Sequence, residues 1–330
     1  MLAVGRCPLS DPAAVTLLPR APSALHGFSE ASRGVLTFLH QHLPMGLWCV
    51  TRKNGHSWLV LHVDDRAYSI AGGSVLHWSD TLCERMVGGS GPNIAPDVGQ
   101  VPSYRDAPMR QVMPIGAYVG LPVTLADGTL FGTLCGLDAA PQADTVIAEL
   151  PLLRLLVDLL ANVAAAQLAR DEQDRANVRA RAPVDTDHAT GLLNRAAWDR
   201  YVRKAEAHCR ALGSPCAAIC LELDELQPLT SSRIDDEDLL KRTGRALSAA
   251  TRGNDAVARL EGSEFGVLIV GLPESGVRTV AERIQTGLAN AGISASSGVR
   301  MRRVGTSIDD AILGADAAMH FQKASMFRRA

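Results

Sequence analysis

At 330 residues the chain is long enough for two domains, each with a core of its own. A hydrophobic share of 47% and a charged share of 21% are ordinary for a globular protein, and a formal net charge of −2 supplies no field to draw nucleic acid or an anionic membrane. Aromatic residues make up 4%, too few for a base-stacking platform on single strands.

Residues 1–24 are rich in Pro and Ala and read as irregular. Arg6 and the prolines Pro8, Pro12, Pro19 and Pro22 interrupt the apolar run that a signal peptide needs. Val35, Leu36, Leu39 and Leu43 then set a helical period from Gly27 to His42, which Pro44 stops. Two strand-like runs follow, Gly46–Thr51 and Trp58–Val63, around the turn Lys53-Asn54-Gly55, and Asn-Gly between apolar runs is a hairpin signal. A helix is expected over Ser79–Val87 and a Gly/Pro-rich loop over Gly88–Pro108. Strands Ala117–Leu125 and Leu130–Leu137, joined at Ala126-Asp127-Gly128, close the unit. This order predicts an α+β domain with an antiparallel sheet covered on one face.

The phrases D-T-L-C-E-R-M-V-G-G-S-G-P, A-P-D-V, I-G-A-Y-V-G-L-P-V and D-G-T-L-F-G-T-L-C-G-L-D give residues 25–168 a resemblance to a GAF domain. The resemblance implies a sensory module that binds a small molecule, of a kind the sequence does not name, or that dimerises. It implies a pocket between sheet and loop near Trp78, Cys83, Tyr104 and Tyr118; read from their neighbours, these are core and loop residues. Cys83 and Cys135 lie among apolar residues, which favours buried, inert thiols over redox sensors. His26, His40, His42, His56, His62 and His77 lack metal-ligand spacing. The seven cysteines (Cys7, Cys49, Cys83, Cys135, Cys209, Cys216 and Cys220) are odd in number and include no CxxC pair. Neither a zinc ribbon nor a disulfide framework follows, and reduced thiols point to the cytoplasm.

Leu150–Leu168 is the most apolar long segment, but Arg154 and Asp158 within it argue against a membrane span. Leu153, Leu156, Leu160 and Val163 are spaced as a coiled-coil seam, and Leu152, Leu155 and Leu159 form a second stripe that lets the helix pack on its own domain. Beyond Leu168 the sequence turns polar, and an exposed helical linker over 169–184 is expected, ending at Pro183.

The second domain takes residues 185–330. Helices are expected over Asn194–Leu212, Leu239–Thr251, Pro273–Ala291 and Ile308–Ser325. Strands are expected over Cys216–Leu223 and Ile293–Val299, with an acidic loop from Asp224 to Asp238. Between Asp255 and Val270, two apolar runs flank Glu261-Gly262-Ser263-Glu264 as a hairpin whose second strand is central. The pattern is a mixed sheet with helices packed on it, so the whole chain is α+β / α/β, two domains joined by a long helix.

This half resembles the GGDEF, or diguanylate cyclase, family, which shares the nucleotidyl cyclase palm. The matching phrases are T-G-L-L-N-R at 190–195, L-E-L-D at 221–224, R-G-N-D-A-V-A-R-L-E-G-S-E-F at 252–265, A-E-R-I at 281–284 and A-D-A-A-M-H-F-Q-K at 315–323. Active members join two GTP molecules into cyclic di-GMP across a homodimer, using two divalent cations held by carboxylates. Here the first metal position is Glu222, one methylene longer than the family's Asp, and the second is Ser263, a neutral hydroxyl. Glu261 replaces a glycine beside the triphosphate, and Glu264 alone remains of the acidic pair. The guanine-reading run is changed to Leu226-Gln227-Pro228-Leu229-Thr230-Ser231, while Lys323 keeps the phosphate-facing place. Catalytic loss is therefore expected, with Mg²⁺ needed only by a residual cyclase working through Glu222 and Glu264.

One family feature is kept. Arg252-Gly253-Asn254-Asp255 fits the RxxD pattern at the family's distance from the signature turn, and Arg283 matches a second arginine of that site. The resemblance implies a cyclic di-GMP site of Arg252, Asp255 and Arg283, with Arg259 supporting phosphate. Arginine forks onto guanine O6 and N7 or onto phosphate, and Asp accepts from guanine N–H groups. Without the resemblance, Arg252 and Asp255 read as a surface ion pair. The expected function is a cyclic di-GMP receptor, acting as a homodimer and passing occupancy to a protein partner. The alternatives are a weak cyclase and a dimerisation module without nucleotide.

Overall fold

The computed structural model describes residues 27–179, 183–224 and 233–327. Segments 1–24 and 225–232, with the run from Leu226 to Ser231, lie wholly or mostly outside them.

The first domain opens with α1 (Phe28–His42), which starts after a glycine that has no capping side chain; the Phe28 amide donates instead to Gln167 Oε1 at 2.8 Å. The hairpin of β1 (Leu47–Asn54) and β2 (Ser57–Asp65) turns through Gly55 at φ +55°, as the Asn-Gly pair predicts. Then come β3 (Val75–His77) and α2 (Leu82–Val87), whose N-terminus is capped by Thr81 Oγ1 accepting from the Glu84 amide. β4 (Ile94–Ala95), α3 (Pro102–Arg105), α4 (Met109–Val112), β5 (Ala117–Thr124) and β6 (Leu130–Asp138) complete the sheet and its cover. The strands run in the order β3-β2-β1-β6-β5-β4, all antiparallel.

Both faces of this sheet are covered, where one was expected. α1 and α5 (Leu150–Arg179) pack Phe28, Leu39, Leu153 and Leu160 against Trp48 and Phe131. On the other face α2, α3 and α4 bring Leu82, Tyr104 and Met109 onto Trp58 and Tyr118. The Gly/Pro-rich loop coils into short helices and supplies that second layer, which its composition conceals.

α5 corrects a second expectation. Leu153 and Leu160, taken as a coiled-coil seam, are buried in their own domain, while Leu155 and Leu159 of the other stripe are 56% and 53% exposed.

The second domain contains α6 (Arg195–Leu212), β7 (Cys216–Leu223), α7 (Arg233–Ala250), β8 (Ala256–Glu261), β9 (Glu264–Val270), α8 (Glu274–Asn290), β10 (Ala295–Met301) and α9 (Ile308–Phe327). Asn194 caps α6 by accepting from the Ala197 amide at 3.0 Å, and Gly213 ends it at φ +63°. The sheet order is β10-β7-β9-β8 and every ladder is antiparallel; the expected mixed sheet is reduced, among the described residues, to one parallel bridge between Leu193 and Ala258. β9 is central, as its two apolar faces require. α7 and α8 cover one face, α6 and α9 the other. α7 begins at Arg233, so the expected loop from Asp224 to Asp238 is shorter than read from its acidity.

The domains meet at the end of α6. Leu212 is fully buried within the first domain's core, and the Gly213 carbonyl accepts from Asn54 Nδ2 at 2.6 Å. No described helix is long and apolar enough to cross a membrane.

Candidate functional site

The β8–β9 turn holds Gly262 and Ser263 between the paired Glu261 and Glu264, with Gly262 at φ +48° where a side chain would be strained. The Leu223 amide donates to the Ser263 carbonyl at 3.1 Å, so the turn is stitched to the end of β7. Glu222 lies opposite Glu264 in the β7–β9 ladder. Its carboxylate receives Lys323 Nζ at 2.7 Å, with side-chain exposures of 19% and 24%, and His320 Nδ1 stands 4.0 Å from its other oxygen. Asp224 is held by the Ser294 and Ser296 hydroxyls at 2.7 and 2.9 Å.

This donor set does not fit a two-cation centre. An ammonium already neutralises Glu222, the Ser263 side chain carries no charge, and no described cluster of three or more His, Cys, Asp or Glu is placed to hold a metal ion. The Lys323–Glu222 pair was not anticipated, although each residue was named; neither sequence window contains a signal for the other.

Arg259 belongs to the turn and not to the far end of its strand. Its Nε donates to the Gly262 carbonyl at 2.9 Å, and its Nη1 reaches both Asp187 oxygens at 3.4 Å. It lies four residues from Asp255, about 13 Å along an extended strand.

At the other end of β8 the structure brings Arg252, Asp255 and Arg283 to one corner. Arg283 Nε donates to the Ala250 carbonyl at 2.6 Å, which pins α8 to the end of α7 two residues before Arg252. Both arginines are exposed. Asp255 is 3% exposed, and its Oδ2 accepts from the Arg252 amide at 2.9 Å while its own amide donates to the Arg252 carbonyl at 3.1 Å. Its carboxylate thus closes the loop on itself. Sequence reasoning missed two further holders of this loop: Tyr201, whose hydroxyl donates to the Asn254 carbonyl at 2.7 Å, and Glu172, which accepts from Asn254 Nδ2 at 2.7 Å.

In the first domain Cys83, Tyr104 and Tyr118 fill the space where the implied pocket would be, and Trp78 is half-buried at its rim. The two tyrosine rings meet edge-on at 5.2 Å, and the Tyr118 hydroxyl donates to Cys83 Sγ at 3.4 Å. Burial, with Cys135 Sγ at 2.9 Å, pushes the Cys83 thiol well above its usual range, which disfavours the reactive thiolate.

Residues 184–328 match the family model described as diguanylate cyclase, GGDEF domain, and this half of the chain is a GGDEF domain. Diguanylate cyclase DgcP of Escherichia coli (strain K12) is 25% identical over 213 residues, which cover 63% of this chain and 60% of that protein. The probable diguanylate cyclase DgcC of the same strain is 28% identical over 105 residues, or 31% of this chain and 28% of its own. The chain thus spans 60% and 28% of these relatives' lengths. Among solved structures, the GGDEF domain of DgcB from Caulobacter crescentus in complex with c-di-GMP is 24% identical, with a TM-score of 0.41, covering 44% of this chain and 93% of that one.

Proposed function

We propose that this GGDEF-domain protein is a signalling receptor for cyclic di-GMP that does not make it, with a GAF-type sensory domain ahead of the receptor domain. The observation that carries the reading is the contrast between the two ends of β8. At the signature turn, Ser263 replaces a carboxylate and Lys323 neutralises Glu222. At the opposite end, two exposed arginines, Arg252 and Arg283, stand at one corner. A ligand with two guanines and two phosphodiesters offers both of the acceptor arrays that arginine forks onto. Asp255 serves first as the brace of the Arg252 loop, and reads guanine when the loop opens. Pairing of two copies is supported by Leu155 and Leu159, which stand exposed on α5. The protein partner that hears the signal is a proposal of the same reading.

Calorimetry with cyclic di-GMP tests it. Wild type binds with measurable heat, and Arg252→Ala loses affinity by at least about tenfold, as expected when a charge-assisted hydrogen bond to the ligand is removed. No heat from wild type overturns the receptor reading. Product formed from GTP and Mg²⁺, and abolished by Glu222→Ala, establishes a cyclase instead.

A further inference from the structure

Helix α5 reaches past its own domain and holds the second one with two consecutive acidic side chains. Asp171 Oδ2 meets His208 Nδ1 of α6 at 2.5 Å, and His208 Nε2 stands 2.9 Å from Ser214 Oγ. Glu172 Oε1 accepts from Asn254 Nδ2 at 2.7 Å. Neighbouring helical residues point about 100° apart, so one grips the side of α6 and the other reaches the loop beyond it.

Asn254 lies inside the Arg252–Asp255 loop, where Gly253 has no side chain to hold. Its amide is taken by Glu172 and its carbonyl by Tyr201, so the loop is clamped from α5 and α6 at once. In the clamped form the Asp255 carboxylate is turned in on the Arg252 amide and is 3% exposed. The loop cannot offer that carboxylate to a guanine without opening, and opening pulls Asn254 away from Glu172. A bis-phosphodiester would also bring negative charge to the loop on which the Glu172 carboxylate rests.

We propose that the Glu172–Asn254 contact is a clasp that opposes cyclic di-GMP at the Arg252–Asp255 loop, so that the interdomain helix and the ligand compete for that loop. The inference rests on the receptor reading above and names how that site is regulated. The surroundings allow the clasp to part. A cleft of about 360 Å³ separates α5 from α6 here, lined by polar Gln167, Asp171, Lys204 and His208 and by Tyr201 and Ala211. Leu212, buried beyond the cleft, stays seated in the first domain's core. Because coupling between sites is reciprocal, a ligand that loosens the clasp is bound more tightly once the clasp is cut.

The experiment compares cyclic di-GMP affinity of the full chain in wild type and Glu172→Ala by calorimetry, with amide hydrogen exchange of residues 165–176 followed with and without ligand. Glu172 is exposed, so the substitution leaves the fold intact. The expected result is at least about fivefold tighter binding by Glu172→Ala, the lower end of ordinary allosteric coupling. Ligand also speeds exchange over 165–176 in wild type, as Asn254→Ala does with no ligand present. Equal affinities, or exchange unmoved by ligand and by Asn254→Ala, would overturn the clasp and leave the receptor reading standing. Absence of binding in both proteins would overturn the receptor reading and remove the competition with it.

Discussion

His62, half-buried on β2, has no hydrogen-bond partner for Nε2, and burial, with the positive charge of Arg33 second, pushes its pKa down from 6.5 to about 4. The folded chain therefore binds fewer protons there than the unfolded one. The contribution of neutral His62 is intact above pH 6.5 and is lost as the pH falls toward 4. Allowing for its partial exposure, the loss is about 2 kcal/mol. Urea titrations at pH 7 and pH 4 should show wild type losing that much more stability than His62→Gln over the same interval. What the sequence discloses at this scale is the identity of the residues and not their partners. Ser263 between Gly262 and Glu264 is plain from the string, because a single position carries it. That Lys323 lands on Glu222, that Asp255 turns inward, and that Asn254 is held from α5 are pairings between distant segments or rotamer choices, which no local window encodes.

At the scale of the element, most strands and helices were legible because their periods are clean. The alternation around Asn54-Gly55 and the doubly apolar β9 are examples. α5 was harder. Its leucines form two stripes one residue apart, and a spacing of three and four shows that a stripe is buried without showing which one. The choice is made by α1 and the sheet, against which Leu153 and Leu160 fit. Leu160→Ala should therefore cost about 2–5 kcal/mol in denaturant unfolding, as for a buried leucine left as a cavity. Leu159→Ala, on the exposed stripe, should leave the unfolding midpoint of the isolated chain in place and weaken self-association in sedimentation velocity. The second layer over the first sheet was hidden for a different reason. Short helices such as Pro102–Arg105 are made by tertiary contacts of Tyr104 and its neighbours, and four residues carry too little period to announce them.

At the scale of the whole molecule, the described residues form two layered sheets, both antiparallel. The signature turn of the second unit rests on a buried scaffold. Gly262 makes the tight turn, and β9 threads the centre of the sheet. Turn and strand differ in how tightly packing constrains them. The turn touches solvent, whereas Phe265, Val267 and Ile269 are packed into the core on one face of the sheet and Leu268 into the core on the other.

Leu212 belongs by sequence to the second unit and by packing to the first. It behaves as a stopper seated in a neighbour's wall. Melting either unit withdraws the stopper, and the survivor is left with a hole or with a bare leucine in water. The melting of the two units is thereby linked, so a calorimetric scan of the full chain should give one endotherm, and Leu212→Ala should split it into two.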